Sequence, residues 1–258
     1  MPSRAIIRSS TERLTRPQQV AEAIKQWVMD NGWQPGDRLP SEAELITRFS
    51  MAKGTIREAV RILEAQGLVK SRTGPGGGVF IHQVSEERAT ALLANYFYFQ
   101  QLSIDDIYQI REALEPELAA SLAGKLTEEQ LASLEAVMTQ YATPARNVEE
   151  ERAHHIASLR FHAVLAEMSG NALLRFLIRF TANMLADLTV SRRLYVKTSR
   201  KLWASGSDYQ ARLIRALRSG NPRAAKTILL AHMRNAHELM LLQEAGVTQK
   251  FLPESDII

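Results

Sequence analysis

Lys53-Gly54-Thr55-Ile56-Arg57-Glu58-Ala59-Val60-Arg61-Ile62-Leu63, followed by Gly67-Leu68-Val69-Lys70-Ser71-Arg72 and by Gly74-Pro75-Gly76-Gly77-Gly78-Val79-Phe80-Ile81-His82, is the stretch that decides the fold. Ile56, Ala59, Val60 and Leu63 recur at helical spacing and make one apolar face, while Lys53, Thr55, Arg57 and Arg61 fall on the opposite one. Gly67 suits the position just past a helix. Two short strands are expected at 68–72 and 79–82, and the tip between them is too rich in glycine for a helix. A cationic helix followed at once by a two-stranded wing is a DNA-binding layout. The helix end fits the major groove, and glycine lets backbone N–H groups approach a phosphate. Lys53, Gly54, Thr55, Arg57 and Arg61 are therefore expected on the groove-reading helix, with Arg72, Gly74, Gly76 and Gly77 on the wing. The alternative for any basic helix face is a solvated surface, and the adjoining wing argues against it.

Upstream, Pro17 opens a helical pattern through Val20, Ile24, Trp27 and Val28. Gly36-Asp37 turns the chain, and Ser41 with Glu44 makes a capping box for a second short helix through Leu45 and Phe49. The head is thus three helices and a wing. Its charge agrees: residues 1–83 carry 12 Lys/Arg against 8 Asp/Glu, and the remainder 20 against 20, so the whole net charge of +4 lies where a polyanion would be met.

After Gln83 the pattern becomes nearly continuous amphipathic helix, with spans expected at 86–101, 104–123, 128–141, 149–169, 172–195, 207–219 and 222–244. The fold class expected is mostly α: a winged helix-turn-helix at 1–83, then an all-α bundle of six or seven helices at 84–258. Such a bundle can host a ligand between facing helices. The chain has no cysteine, which excludes disulfides, thiolate zinc sites and a cysteine nucleophile. The N-terminal residues lack the apolar core of a signal peptide, and no run has the length to span a bilayer, so a soluble, cytoplasmic protein without membrane partners is expected.

Pro35-Gly36-Asp37-Arg38-Leu39-Pro40-Ser41-Glu42, with the stretch quoted above, resembles the GntR family of bacterial transcription regulators. The resemblance adds Arg38, Ser41 and Glu42 to the expected DNA-binding set. It implies a homodimer on a pseudo-palindromic operator, controlled by a small-molecule effector. One departure matters: the family usually opens the recognition helix with Ser-Arg, where this chain has Ala52-Lys53. Alanine cannot cap the helix, and lysine lacks the bidentate guanine contact of arginine. A shifted or less stringent operator preference is expected.

The remainder resembles the FadR-type subfamily, whose helical ligand domain is called FCD. The resemblance rests on Ile107-Tyr108-Gln109-Ile110-Arg111-Glu112-Ala113-Leu114-Glu115-Pro116, Phe161-His162, Ser169-Gly170-Asn171 and the segment from Ala216 through Gly220-Asn221 to His232. Many of its members hold a divalent metal, through one aspartate and three histidines, that orients a carboxylate effector. Those positions fall here on Ser158, His162, Gln210 and His232. Only His162 and His232 keep a ligand type suited to zinc or nickel. The alternative is that both are pocket or core histidines. His155, another turn back on the same face, is expected at the surface, with substitution as a ligand as its alternative. Arg111 is expected either to meet an effector carboxylate or to pair with Glu115 at i+4. Without a metal, the resemblance extends to metal-free members, one of which responds to fatty acyl-coenzyme A. The basic, aromatic stretch from Ser191 to Trp203 would then meet phosphates and an adenine ring, against the simpler possibility of a solvated face.

No enzyme is expected. The chain lacks a Gly-x-Ser-x-Gly elbow, a His-Glu-x-x-His pair and a phosphate loop. A metal-dependent helical-bundle enzyme is the alternative from another class, but Glu151 to His154 is a single Glu-x-x-His, and di-metal bundles need two. An architectural DNA binder would leave the helical half without a role.

Overall fold

The computed structural model describes residues 14–100, 102–191, 194 and 200–251. They form ten α-helices and one two-stranded sheet, in two compact units that divide between Ala89 and Thr90.

In the first unit, α1 (Arg16–Asp30) starts one residue ahead of Pro17, where Gln18 Oε1 accepts from Thr15 N at 2.8 Å. Helix α2 (Glu42–Phe49) has the expected capping box: Ser41 N donates to Glu44 Oε2 at 2.7 Å, and Ser41 Oγ accepts from Glu44 N. Ser50, at a φ of 51°, ends α2 and turns the chain into α3 (Lys53–Ala65). Ala52 gives α3 no side-chain cap. The register of β1 (Val69–Arg72) against β2 (Gly78–Ile81) is antiparallel, from Val69 opposite Ile81 to Arg72 opposite Gly78. Val20, Ile24, Leu39, Leu45, Ile56, Ala59, Leu63, Val69 and Ile81 meet in one core, so the apolar face of α3 is turned inward and its cationic face outward. Val60, expected on the buried face, is half-buried at its edge.

The helices that follow are α4 (Glu86–Phe99), α5 (Ile104–Leu122), α6 (Glu128–Met138), α7 (Val148–Glu167), α8 (Ala172–Ser191), α9 (Arg200–Arg218) and α10 (Pro222–Phe251). A 3-10 turn at Thr139–Tyr141 takes up the end of the span expected at 128–141. Helix α5 packs on α10, α7 on α8, and α9 on α10. Gly124 and Gly220, both at positive φ, let the ends of α5 and α9 touch; a Cβ on Gly124 would lie 3.0 Å from the Gly220 Cα. Two apolar clusters fill the bundle, one around Phe161, Leu213 and Met233, the other around Ile104, Tyr108 and Leu185.

Helix ends depart from the sequence expectation in α8, which stops at Ser191 rather than 195, and in α9 and α10. Helix α9 begins seven residues before 207, running through Gly206. It is tied there by Trp203, whose Nε1 donates to the Tyr141 carbonyl at 2.7 Å. Helix α10 continues past 244 to Phe251. Within the basic stretch at 191–203, residues 192–193 and 195–199 lie outside the described residues, while Leu194 is buried. Among the described residues, no helix is long and apolar enough to cross a membrane.

Candidate functional site

Two sets of side chains stand out, one in each unit. In the head, Lys53 and Arg57 lie one turn apart at the start of α3, both well exposed. They share one carboxylate: Glu42 stands 3.2 Å from Lys53 Nζ through Oε1 and 2.8 Å from Arg57 Nε through Oε2. The two cations hold the Glu42 carboxyl below its usual range, with the Arg57 hydrogen bond as the largest contribution. Glu42 thus braces the start of α2 against the start of α3. Gly54 is exposed beside them, Thr55 is half-buried, and Arg61 is exposed one turn on, 3.4 Å from Glu58. Ser41 is occupied as the cap of α2.

The wing is shaped by close approaches. Gly78 lies where a Cβ would come within 2.6 Å of the Arg38 guanidinium, so glycine there makes room for that arginine against β2. Arg38 bridges Phe80 in antiparallel fashion, and the Arg72 guanidinium covers the Phe80 ring at 4.6 Å. At the tip, Gly77 N donates to the Gly74 carbonyl at 2.8 Å, and both Gly74 and Gly76 have positive φ. The residues expected on helix and wing therefore fall on two neighbouring elements of one small unit.

In the helical unit, a cavity lies between α5, α7, α9 and α10. Its volume open to water centres is about 70 Å³, several times the roughly 10–15 Å³ that one water needs. The five residues expected at an effector site, Arg111, Ser158, His162, Gln210 and His232, all line it. So does His155, half-buried on α7, which corrects the surface position expected for it: its side of the helix borders the cavity.

An ion chain runs behind this wall. Arg111 Nε donates to Glu115 Oε1 at 2.6 Å, and His162 Nδ1 lies 2.6 Å from Glu115 Oε2. Arg111 and Glu115 are each 1% exposed. The i+4 pairing open from the sequence is present, yet it leaves Arg111 Nη2 buried with no hydrogen-bond partner. The His162 ring stacks on His232 at 5.3 Å between centroids and 9° between planes. Across the cavity, Tyr141 Oη donates to Gln210 Oε1 at 2.8 Å, which leaves Gln210 Nε2 buried and unpartnered. Ser158 Oγ donates to the His155 carbonyl at 2.9 Å.

Burial acts differently on these groups. It drives the His155 and His232 imidazoles down to about 3, with the Arg111 and His162 charges adding to the effect. Burial alone would raise Glu115, but Arg111 and His162 hold it down at about 2. Burial also raises the Tyr108 and Tyr141 hydroxyls, so both stay protonated donors. The sign of the pH dependence follows. Unfolded histidine takes up a proton near its usual 6.5 and the buried rings not until about 3, so the unfolded chain binds more protons in between and stability falls on acidification. Glu115 adds a loss between 4.5 and about 2. A series of thermal midpoints from pH 8 down to 4 is expected to decline from about pH 6.5. The decline is expected to be shallower in His232→Gln, and a flat profile in the parent would contradict the buried neutral rings.

Tyr141 on the cavity wall had no sequence signal, whereas Tyr108 and Trp203 fell within stretches quoted for the resemblance and for a ligand. Glu115 had one, its i+4 spacing from Arg111, but not its second contact to His162.

The family model for bacterial regulatory proteins of the gntR family matches residues 16–81, and the FCD domain model matches 106–235, half of the chain. The HTH-type transcriptional regulator LutR of Bacillus subtilis is 25% identical over 211 residues, covering 80% of this chain and 93% of its own. The Exu regulon transcriptional regulator of Escherichia coli is 25% identical over 89% of this chain and 85% of its own. YieP, an uncharacterized HTH-type transcriptional regulator of Escherichia coli, is 30% identical over 60% of this chain and 68% of its own. Among solved structures, a Streptococcus agalactiae GntR protein has the same fold, with a TM-score of 0.54 at 22% identity, covering 86% of this chain and 99% of its own. The chain accordingly belongs to the GntR family of bacterial regulatory proteins, as a DNA-binding transcriptional regulator with an FCD domain.

Proposed function

We propose that this regulator binds a pseudo-palindromic operator as a homodimer, and that a small carboxylate metabolite in the helical cavity changes its hold on DNA. Lys53, Thr55 and Arg57 would enter the major groove, with Arg61, Arg38 and the wing from Arg72 to Gly77 along the phosphates. Glu42 would hold Lys53 and Arg57 at the helix entrance before DNA arrives, which lowers the ordering cost of binding. The ligand would act through its differential affinity for two arrangements of the protein, since equal affinity shifts nothing.

The observation that carries the effector half is the buried, unpartnered Arg111 Nη2 on the cavity wall. Leaving a buried donor without a partner costs about 1–3 kcal/mol, and more when it is charged. A carboxylate oxygen recovers that cost. The size of the cavity supports a small metabolite over an acyl-coenzyme A thioester, because drug-sized ligands already occupy about 300–1,000 Å³.

We also propose that the ligand is held without a metal ion. Support comes from the donor chemistry. Ser158 is a hydroxyl already bonded to a carbonyl, Gln210 turns an N–H inward, and the His162 and His232 rings are stacked face to face. No group of three or more His, Cys, Asp or Glu able to hold a metal occurs among the described residues. Protein purified without chelator is expected to contain far less than one equivalent of zinc or nickel. Small carboxylates that raise its thermal midpoint are expected to change its affinity for operator DNA. A full equivalent of bound metal would overturn the metal-free site, and carboxylates that stabilise the protein yet leave DNA affinity unchanged would overturn the regulatory role.

A further inference from the structure

We propose that the cavity grips its ligand directly between Arg111 Nη2 on α5 and Gln210 Nε2 on α9, and that it selects a compact monocarboxylate over a dicarboxylate or a phosphate ester. The inference rests on the carboxylate reading above and adds the anchoring atoms and the charge the site tolerates.

The anchoring atoms are the two unpartnered N–H donors of the cavity's deepest polar side chains. Arg111 and Gln210 are each 1% exposed, and their free nitrogens have no hydrogen-bond partner. Each is also held in orientation from behind. Glu115 fixes the guanidinium through Nε, which points the remaining edge of its planar fork elsewhere. Tyr141 fixes the amide by donating to its oxygen, which leaves Nε2 as the buried polar atom of Gln210 still without a partner. A ligand that satisfies both must present acceptor oxygens on two sides and bridge α5 to α9. A carboxylate with a second oxygen-bearing substituent, or with its two oxygens split between the donors, meets that demand in a cavity of this size.

The tolerated charge comes from what surrounds these donors. Arg111 is the sole Lys or Arg among the described residues that line the cavity, and half of its fork is already spent on Glu115. The Glu151 carboxyl is a further wall group, itself 4% exposed. The imidazoles of His155 and His232 are held in their neutral form, so at neutral pH they add hydrogen-bonding atoms and flat apolar surface without charge. One negative charge on the ligand is balanced by the Arg111 edge. A second would sit in a low-dielectric cavity beside a carboxyl group, with no further Lys or Arg among the described lining residues to meet it. The stacked His162 and His232 rings and the Tyr108 ring suit the carbon body of a short acid.

The test uses the full chain and four probes of one carbon length: butyrate, 3-hydroxybutyrate, succinate and butyramide, read by calorimetry and by thermal midpoint at pH 7.5. Butyrate and 3-hydroxybutyrate are expected to bind and to raise the midpoint, with succinate at least tenfold weaker. Arg111→Gln is expected to lose monocarboxylate affinity about 10- to 100-fold, the range for a hydrogen bond to a charged group. If that variant fails to fold, Gln210→Glu serves instead. It keeps the shape, reverses the donor and adds a repelling charge, so it should abolish butyrate binding. Succinate binding as tightly as butyrate would overturn the charge selection while leaving a carboxylate effector in place. Butyramide binding as tightly as butyrate, or Gln210→Glu binding butyrate like the parent, would overturn the direct grip. If none of the four probes binds, the carboxylate reading itself fails along with the inference built on it.

Discussion

Glu115→Ala is expected to destabilise the helical unit by about 3–5 kcal/mol, the range for removing one partner of a buried ion pair. Glu115 joins Arg111 on its own helix to His162 on α7, all three almost fully buried. Truncation leaves the Arg111 charge without its counter-ion and His162 Nδ1 without its carboxylate. Glu115→Gln keeps the shape and one acceptor, and is expected to lose less. The companion variant Arg111→Leu/Glu115→Leu removes both charges together. It is expected to recover most of the loss, because replacing a whole buried pair by apolar side chains is often close to neutral. Urea unfolding followed by tryptophan fluorescence measures all three, Trp203 being placed at the cavity wall. Glu115→Ala within about 1 kcal/mol of the parent would mean that the pair is solvated in solution.

The second large effect belongs to the head. Lys53→Ala and Arg57→Ala are each expected to weaken operator binding by about 1–3 kcal/mol. The double variant is expected to fall short of their sum, because the two side chains share Glu42 and residues with a common partner do not add. A change that removes a phosphate contact also lowers the salt slope by about one, whereas loss of a base contact relaxes sequence preference and leaves the slope near its parent value. Titration against salt therefore sorts Lys53 from Arg57. Lys53→Arg is the informative gain: a planar fork at this position is expected to sharpen the preference for one guanine, with the rest of the operator unchanged. Equal affinity of parent and double variant for operator DNA would remove α3 from the interface.

The head was legible in the sequence because its determinants are local. The Ser41–Glu44 cap, the apolar period of α3 and the wing glycines all act within a few residues, and each lies where its local chemistry requires. The helical unit was legible as helices but less so at their ends. The expected span opened only at 207, yet α9 starts at Arg200 and runs through Gly206, held by a tertiary bond from Trp203 to Tyr141 that no short window contains. The cavity was half legible. Family spacing pointed to Ser158, His162, Gln210 and His232, and a charge on a mainly apolar helix pointed to Arg111; the fold brings the five together from four helices. Spacing did not distinguish a half-buried, cavity-lining His155 from an exposed one, because periodicity does not say which face will border a cavity. Nor did it give Tyr141 to Gln210, a contact across 69 residues that sets which end of the amide faces inward.

The central claim is sequence-specific operator binding by the winged head. Its most direct test is footprinting of the full chain on DNA flanking its own gene, with parent and Lys53→Ala/Arg57→Ala side by side. The expected result is a protected pseudo-palindrome, its half-sites about one helical turn apart, lost in the double variant at the same protein concentration. No protected segment at low salt, or a palindrome protected equally by both proteins, would contradict it.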